Sequence, residues 1–181
     1  KGNIDCGLVT DGDADRIGMY DGKGNFLDSH HIILLLIHYL VKYKGLKGKV
    51  CTAFSTTPKV GKMCKHYGLP FEIVKIGFKY ICEIMLNEDV LLGGEESGGI
   101  ALKGHIPERD GIWVGLVIWE FMAKSGKKLN DLIKEVYEIV GPFAFERNDM
   151  HLKESVKIKI VENTSKNAYQ SFGRYKVKRV E

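Results

Sequence analysis

Short apolar segments alternate with helix-like segments through the middle of this sequence, and this alternation limits the possible folds most. Residues 49–54, 71–74 and 90–92 are short and apolar, which predicts strands. The helices predicted between and after these strands cover residues 58–67, 78–86, 111–123 and 130–140. Strands that alternate with helices are typical of α/β layer proteins. We therefore predict an α/β domain over residues 28–141.

Helix-capping residues support the predicted bounds of the helices. Ser29 is predicted to cap a helix that extends to about residue 43, with Gly45 beyond its end. Thr57 is predicted to cap the next helix, with Pro58 at its first position. Asp110 is predicted to cap the helix over 111–123, whose tryptophans are expected in the core. The predicted helices thus begin and end at residues suited to those positions.

The flanking segments are too short to hold a core of their own. Residues 6–9 and 17–20 read as strands, and residues 21–25 carry the turn chemistry of a hairpin that returns through 26–27. Towards the other end, Val156, Ile158 and Ile160 alternate with lysines, as in a half-buried strand. We therefore expect this chain to be a piece of a larger protein.

Charge and cysteine content exclude several classes of protein. The net charge is +4, and residues from 151 onward hold 8 Lys+Arg against 3 Asp+Glu. We interpret this basic segment as a solvated face and not as a nucleic-acid site, for which charge is the only argument. No apolar run approaches the roughly 20 residues of a membrane span. The four cysteines form no CxxC pair, so we predict a reducing, cytoplasmic setting.

Three aspartates stand at alternate positions between the first two predicted strands: Asp11, Asp13 and Asp15. Alternate side chains of an extended stretch point the same way, so these carboxylates can converge on one hard cation. A helix–loop–helix calcium site begins with the same spacing, but it needs Gly and Glu where this chain has Arg16 and Gly22. The pattern favours Mg²⁺ completed by a phosphate oxygen, with a solvated acidic turn as the alternative.

A glycine-rich segment with two glutamates, GGEESGG at residues 93–99, follows a predicted buried strand. Ligands of open α/β sheets bind at the carboxyl ends of strands. Carboxylates would repel a phosphate, whereas carboxylate and hydroxyl groups exchange hydrogen bonds with polyols. We predict that this segment contacts sugar hydroxyls; a flexible exposed turn is the alternative.

Two further segments bring cations to strand–helix junctions, where anions commonly bind. Lys75 lies in KIGFK, and Arg109 lies in GHIPERDG. Each is either a phosphate or acid/base group or a surface cation beside a helix start. His105 is a possible proton carrier, although a lone loop histidine more often has no chemical role.

Four motifs occur in one order along the chain: DGDADR (11–16), VKIGFKYI (74–81), GGEESGG (93–99) and GHIPERDG (104–111). Together they resemble the α-D-phosphohexomutase family, the phosphoglucomutases and phosphomannomutases. The resemblance covers nearly the whole chain and implies three parts. Residues 1–27 would be the end of the family's domain 2, 28–141 a three-layer α/β/α domain 3 with a mixed sheet, and 142–181 a linker and the beginning of domain 4.

The resemblance also implies a metal site and two catalytic arginines. Asp11, Asp13 and Asp15 match the family's Mg²⁺ ligands, whose fourth ligand is a phosphate on a catalytic serine. Arg16 matches an arginine that reaches toward this phosphoryl group. Arg109 stands where some members carry a lysine proposed as general acid/base; because arginine stays protonated, we expect it to stabilise charge.

The substrate-binding residues that the resemblance implies are Gly94, Glu95, Ser97 and Lys75. Glu95 and Ser97 match the loop that grips the hexose hydroxyls, and we expect Glu96 beside them to be structural. Other members have His directly after the S-G of this loop, where this chain has Gly99.

Two motifs of the complete family are not found in this sequence: the phosphoserine loop of the T-A-S-H-N-P kind and the Arg-Ser-Gly-Thr phosphate loop. The resemblance implies an isomerase that interconverts hexose 1-phosphate and hexose 6-phosphate, of glucose, mannose or glucosamine, through a bisphosphate. We expect this chain to need the missing domains and to be inactive alone. The alternative is a free-standing module that binds sugar phosphate or metal without catalysis.

Overall fold

The structure is a computed structural model that describes residues 4–146 and 148–178. The outer ends of the two predicted flanking segments, and position 147, lie outside the described residues. The chain divides into two compact units, the first ending at Phe145 and the second beginning at Glu146. Each unit is described by itself below.

The first unit opens with a three-stranded antiparallel sheet: β1 (Cys6–Thr10), β2 (Ile17–Asp21) and β3 (Phe26–Leu27). The turn between β2 and β3 is organised by Asp21, whose carboxylate accepts hydrogen bonds from the backbone N–H groups of Lys23 and Asn25, both at 2.8 Å. This local pairing is the Asx chemistry expected of a tight turn. The predicted hairpin is confirmed.

A four-stranded sheet forms the centre of the unit. Its strands are β4 (Lys49–Ala53), β5 (Phe71–Val74), β6 (Val90–Gly94) and β7 (Ile100–Leu102), in the order β5-β4-β6-β7. Strand β4 is parallel to β5 and β6, whereas β7 is antiparallel to β6. The helices are α1 (Ser29–His38), α2 (Lys59–Tyr67), α3 (Phe78–Asn87), α4 (Gly111–Ser125) and α5 (Leu129–Val140).

The sheet has a hydrophobic cluster on each face. On one face the six residues from Ile32 to Ile37 of α1 are fully buried, together with side chains of α2, α4 and α5. On the other face Phe78 and Ile81 of α3 pack against Cys51 of β4 and Ala101 of β7. Helices thus cover both sides of a mixed sheet, which confirms the predicted α/β/α fold class.

The strand order contains a topological switch point. The chain passes from β4 to β5 on one side, and then crosses back to β6 on the other side of β4. Connections leaving the carboxyl ends of β4 and β6 therefore diverge, and they border a crevice between them. Residues 54–57 and 95–99 occupy these two connections.

Three predicted helix starts are wrong by one residue, and one of them is that of α5, which begins at Leu129 and not at residue 130. Asp28, not Ser29, caps α1, and its carboxylate accepts a hydrogen bond from the His31 N–H at 3.1 Å. A carboxylate is well suited to this end because the helix dipole stabilises negative charge there. Helix α2 begins at Lys59, after Pro58, and not at Pro58 itself.

Two further expectations for the first unit differ from the structure. Strand β7 was not predicted, because its three residues are shorter than a recognisable alternation pattern. The expectation that Trp113 and Trp119 are core residues is wrong: they are 37% and 44% exposed. Helix α4 buries Val114 and Phe121 on its other face, so the tryptophans lie on the side away from the core.

The second unit consists of helix α6 (Glu154–Ser165) and a short hairpin of β8 (Ser171–Phe172) and β9 (Tyr175–Lys176). The strand predicted around Ile158 is therefore wrong. A strand needs a neighbour for its backbone groups, whereas a helix satisfies them within itself. The pair Glu154 and Lys157, at 3.2 Å and one turn apart, is typical of an exposed helix.

The cysteines Cys6, Cys51, Cys64 and Cys82 are all free thiols. Burial raises the pKa of Cys51 to about 11 and that of Cys64 to about 12, so both remain protonated side chains of the core. Across residues 4–146 and 148–178, no helix combines the length and the apolar character needed to cross a bilayer.

Candidate functional site

The three aspartates of the acidic loop, residues 11–16, converge. Asp11, Asp13 and Asp15 each offer a carboxylate oxygen, and these atoms lie within 4.8 Å of one another. The turn between them is closed by a hydrogen bond from the Ala14 N–H to the Asp11 carbonyl at 3.2 Å, with Ala14 in the left-handed region at φ +57°. This backbone costs on the order of 1 kcal/mol for a residue with a side chain. The loop is held in a curl that gathers its acids on one side.

Arg16 closes the acidic loop by pairing with Asp11. Its Nε lies 2.5 Å from Oδ2 of Asp11, and its backbone N–H donates to Oδ1 at 3.3 Å. The Arg16 hydrogen bond lowers the pKa of Asp11, and the same contact raises the pKa of Arg16. The arginine side chain is half exposed, so it can turn toward a ligand.

The acidic loop is bound directly to the glutamate loop, residues 93–99. The Ile17 N–H donates to the Gly98 carbonyl at 3.1 Å, and Arg16 forms a backbone bridge with Gly99. Gly98 has φ +97°, and a Cβ atom there would lie 2.6 Å from the Ile17 carbonyl oxygen. Only glycine fits this approach. Ser97 consequently lines a cavity of about 310 Å³ together with Asp11 and Arg16.

Glu95 is a buried member of the glutamate loop, only 5% exposed. Its Oε1 accepts a hydrogen bond from the backbone N–H of Gly77 at 2.8 Å. Gly77 precedes α3 at φ +121°, so this bond joins the end of β6 to the start of α3. Lys75, two residues earlier, is exposed at the same connection. Gly94 is the buried last residue of β6, directly before Glu95.

Glu96 faces the opposite connection. Ser55 Oγ donates a hydrogen bond to Oε2 of Glu96, and Ser29 Oγ donates to the Glu96 carbonyl. These contacts span the crevice between the ends of β4 and β6 and reach the start of α1. His30, fully buried beside them, accepts from the Thr57 N–H at 3.1 Å, and burial lowers its pKa. Glu96 is thereby tied to the framework around the loop.

Arg109 connects the acidic loop to the segment before α4. Its Nη2 lies 2.7 Å from Oδ2 of Asp15, and its guanidinium carbon lies 5.4 Å from the centre of the Phe78 ring. A second contact joins Nε of Arg109 to Glu108 at 3.4 Å. Arg109 therefore belongs to the same cluster as the three aspartates.

His105 lies beside the start of α4 and contacts its cap. Its Nε2 is 2.8 Å from Oδ2 of Asp110, and its ring stacks on Trp113 at 4.7 Å. Asp110 also accepts from the Trp113 N–H at 2.8 Å, and this bond, more than the histidine, lowers the pKa of Asp110. The histidine contacts the helix start, whereas a proton-carrying role stays a prediction.

Three larger cavities lie away from these loops, and the two largest of them have similar volumes. One, of about 640 Å³, is lined by Asp21, Lys23 and Asn130; the other, of about 670 Å³, lies against Trp119. Neither contains any of the predicted site residues. Volume alone does not identify the site here, because the convergent polar groups are what define a binding site chemically.

Several contacts of the site were not predicted. Ser55, two residues before the predicted cap Thr57, was not predicted as a site residue, although it follows β4 and contacts Glu96. The bond from Gly77 to Glu95 was also missed. Residues that follow neighbouring parallel strands meet at one sheet edge, and this signal could have found Ser55.

Comparison with known proteins agrees with this arrangement. The family model described as "Phosphoglucomutase/phosphomannomutase, alpha/beta/alpha domain III" matches residues 28–140. This chain belongs to the phosphoglucomutase/phosphomannomutase family. It is similar to the phosphoglucosamine mutase of Caldicellulosiruptor bescii, with 34% identity over 168 residues, which is 89% of this chain.

Two solved structures have a fold similar to that of this chain. A proposed phosphomannomutase from Thermus thermophilus is 37% identical with a TM-score of 0.71, over 74% of this chain and 30% of that one. An Aspergillus fumigatus N-acetylphosphoglucosamine mutase, solved in complex with GlcNAc-6P and magnesium, is 18% identical with a TM-score of 0.59; it covers 74% of this chain and 36% of that one. That second likeness shows the fold alone.

This family member covers only part of its relatives. It spans 37% of the length of the Caldicellulosiruptor bescii protein. The comparisons establish the family and the fold of this chain, whereas the reaction of the whole protein remains a proposal.

Proposed function

We propose that this chain is the metal-binding and sugar-binding section of an isomerase that interconverts hexose 1-phosphate and hexose 6-phosphate. The observation that carries the proposal is the backbone hydrogen bond from Ile17 to Gly98. This bond joins the acidic loop, whose three carboxylates suit a cation, to the glutamate loop, and Asp11 of the first loop and Ser97 of the second line one cavity. Mutase relatives at 34% identity support the same reaction class.

The acidic loop fits Mg²⁺ by the chemistry of its donors. Three carboxylate oxygens within 4.8 Å of one another are hard ligands that such an ion prefers, and they leave room for water or phosphate. When bound, Mg²⁺ would supply positive charge next to a phosphoryl group. Asp11, Asp13 and Asp15 are the proposed ligands.

The arginines would neutralise the remaining charge of the phosphoryl group. Phosphoryl transfer depends mainly on positioning and electrostatic stabilisation. Arg16 is half exposed at the rim of the shared cavity, and Arg109 adjoins Asp15. Both would act as permanently charged cations, and neither would transfer a proton, since arginine does not deprotonate in proteins. Lys75 is proposed to contact the substrate's phosphate or hydroxyl groups.

The hexose would be bound by the glutamate loop. One oxygen of Glu95 is already used by Gly77, which fixes the carboxylate so that the other oxygen can accept from a sugar hydroxyl. Ser97 would donate to or accept from a second hydroxyl, and Gly94, directly before Glu95, is proposed to bring the backbone close to the sugar ring. These contacts suit a ring that binds in two orientations in turn, as a 1-to-6 isomerisation requires.

The choice of hexose extends over glucose, mannose and glucosamine phosphates. These sugars differ at one carbon, and the glutamate loop contains no group specific to one of them. Glucosamine phosphate as a substrate is supported by the Caldicellulosiruptor bescii relative, which is a phosphoglucosamine mutase. The donor serine and the site for the second phosphate are proposed to lie in other domains of the complete enzyme.

The proposal is tested by ligand titration of the isotope-labelled chain followed by NMR. With Mg²⁺ present, glucose 1-phosphate should shift the backbone signals of residues 94–98, whereas inorganic phosphate alone should shift mainly those of residues 11–16. Ser97→Ala should weaken the sugar effect about threefold to tenfold, as expected for one neutral hydrogen bond. A hexose phosphate that leaves residues 94–98 unchanged would contradict the sugar site.

A turnover assay tests the proposed division of labour between domains. The chain should convert neither glucose 1-phosphate nor mannose 1-phosphate, even with Mg²⁺ and a hexose bisphosphate. Turnover above that of a heat-denatured sample would contradict the proposed need for a donor serine elsewhere.

A further inference from the structure

The side chain of Arg109 lies directly across the backbone of Gly99. A Cβ atom built on Gly99 would overlap Cδ of Arg109 and lie 3.1 Å from its Cγ. These atoms belong to the middle of the arginine stem and not to its mobile end. Any side chain at position 99 would therefore move the whole stem.

Phe78 forms the other part of the seat for Arg109. The guanidinium carbon lies 5.4 Å from the ring centre of this buried phenylalanine, within the range of a cation–π contact. Gly99 is fixed in turn by its backbone bridge to Arg16. The seat, defined as Gly99 and Phe78, is thus attached to the acidic loop.

From this seat Arg109 reaches Asp15, with 2.7 Å between Nη2 and Oδ2. Asp11 is paired with Arg16 in the same loop. Two of the three carboxylates that could bind a cation therefore already have an arginine partner. A cation that takes Asp15 as a ligand has to compete with Arg109 for that carboxylate.

We propose that Gly99 is a positioning residue: by leaving space for the Arg109 stem, it makes Arg109 a built-in competitor of the cation at Asp15. This inference rests on the proposed metal site and deepens it. Cation affinity is then set by the residue at position 99, although glycine has no side chain with which to contact a metal. A residue with a Cβ atom at this position would displace Arg109 and leave Asp15 to the cation.

The first test measures Mn²⁺ binding to the whole chain by the paramagnetic signal of the free ion. R109M and G99A should each tighten Mn²⁺ binding about twofold to fivefold, the range expected from removing one partly exposed ion pair. The double variant should bind no more tightly than R109M. K103M, which removes a remote lysine paired with Asp89, is the matched control and should leave the affinity unchanged.

The second test is a double-mutant cycle for positions 99 and 109, measured by urea unfolding without metal. G99A should destabilise the chain when Arg109 is present and lose most of this effect in the R109M background. Additive effects on stability would contradict the claim that Gly99 positions Arg109. Unchanged or weaker Mn²⁺ binding in G99A would contradict the claim that Arg109 competes with the cation for Asp15. Failure of the metal site itself would look different, because the chain would then bind no Mn²⁺ while the cycle still reported coupling.

Discussion

The carboxylate of Glu95 accepts a hydrogen bond from the Gly77 N–H at 2.8 Å, although the two residues belong to different strand connections. Glu95 begins the connection after β6, and Gly77 begins α3 after β5. Strands β5 and β6 are not neighbours, since β4 lies between them. One buried carboxylate therefore fixes the glutamate loop across the central strand.

Removal of this carboxylate should destabilise the chain. We expect Glu95→Ala to lower the free energy of unfolding by about 1–3 kcal/mol, because the Gly77 N–H loses its partner. Glu83→Ala, an exposed position on α3, should change it by less than about 0.5 kcal/mol. Urea unfolding measures both values. Equal effects of the two substitutions would show that the bond to Gly77 contributes nothing.

The start of α4 is packed against the acidic loop, and this contact gives a second prediction. The Gly111 N–H donates to the Ala14 carbonyl at 2.9 Å, and a Cβ atom on Gly111 would lie 2.7 Å from the Arg16 carbonyl oxygen. We expect Gly111→Ala to cost about 1–3 kcal/mol through overpacking. Gly12→Ala is the control, since nothing lies within 4 Å of its Cβ position.

Thermal or urea unfolding distinguishes these glycine variants. We expect Gly111→Ala to lower the free energy of unfolding clearly and Gly12→Ala to change it little. If the two alanines behave alike, the close approach of α4 to the acidic loop is not present in solution.

A buried polar network far from the site predicts how stability depends on pH. His38 is 1% exposed; its Nε2 lies 3.0 Å from Glu135, and Tyr67 Oη lies 2.6 Å from its Nδ1. Burial lowers the pKa of His38 below its ordinary value of 6.5. Burial alone would raise the pKa of Glu135, but hydrogen bonds from Lys127, Lys42 and His38 outweigh it and hold that pKa below 4.5.

Both shifts make the folded chain less stable in acid. A group whose pKa is lowered by folding binds fewer protons in the folded state, so stability falls as pH drops below the unfolded pKa. For His38 this loss begins near pH 6.5, and for Glu135 it begins near pH 4.5. The contribution of His38 and Glu135 to stability should therefore be greatest above about pH 6.5.

The histidine contribution is isolated by His38→Gln. This variant should be about 1–3 kcal/mol less stable at pH 7 and should lose less stability than the wild type between pH 6.5 and 5. An unchanged slope in His38→Gln would mean that this histidine does not couple folding to protons.

The elements that sequence reasoning identified are those with strong local signals. Helix α2 ends at Tyr67, α3 begins at Phe78, and Asp110 caps α4, all as predicted. Start positions failed where adjacent residues could both cap, as with Asp28 and Ser29. Strand β7 was not predicted because only its pairing with β6, a tertiary contact, defines its three residues as a strand.

The segment around Ile158 shows the opposite failure. Its alternation of apolar and charged residues is a real pattern, but the segment forms helix α6, and the two strands of the nearby hairpin, β8 and β9, pair with each other. The apolar residues stay exposed on the helix, with Ile158 at 53%. A two-residue period predicts a strand only where a neighbouring strand is available.

The candidate site divides in the same way. The motif at Asp11, Asp13 and Asp15 predicted the acid cluster because the three residues are close in sequence. The contact between Arg109 and Asp15 could not be predicted, since the two residues are far apart along the chain. They meet because Arg109 lies just before α4, whose first residue, Gly111, bonds to the acidic loop. The role proposed for Gly99 could not be predicted either. It depends on the space that glycine leaves for the Arg109 stem, and this space is known only from the structure.

The central claim, that the acidic loop is a cation site beside a sugar-binding loop, is tested most directly by a Mn²⁺ titration of the chain. We expect weak Mn²⁺ binding, with a Kd on the order of 0.1–1 mM, because protein carboxylates alone complete only part of the ligand shell. Asp13→Asn should abolish this binding, whereas Asp131→Asn, at an exposed aspartate on α5, should leave it unchanged. Mn²⁺ binding that persists in Asp13→Asn would contradict the account.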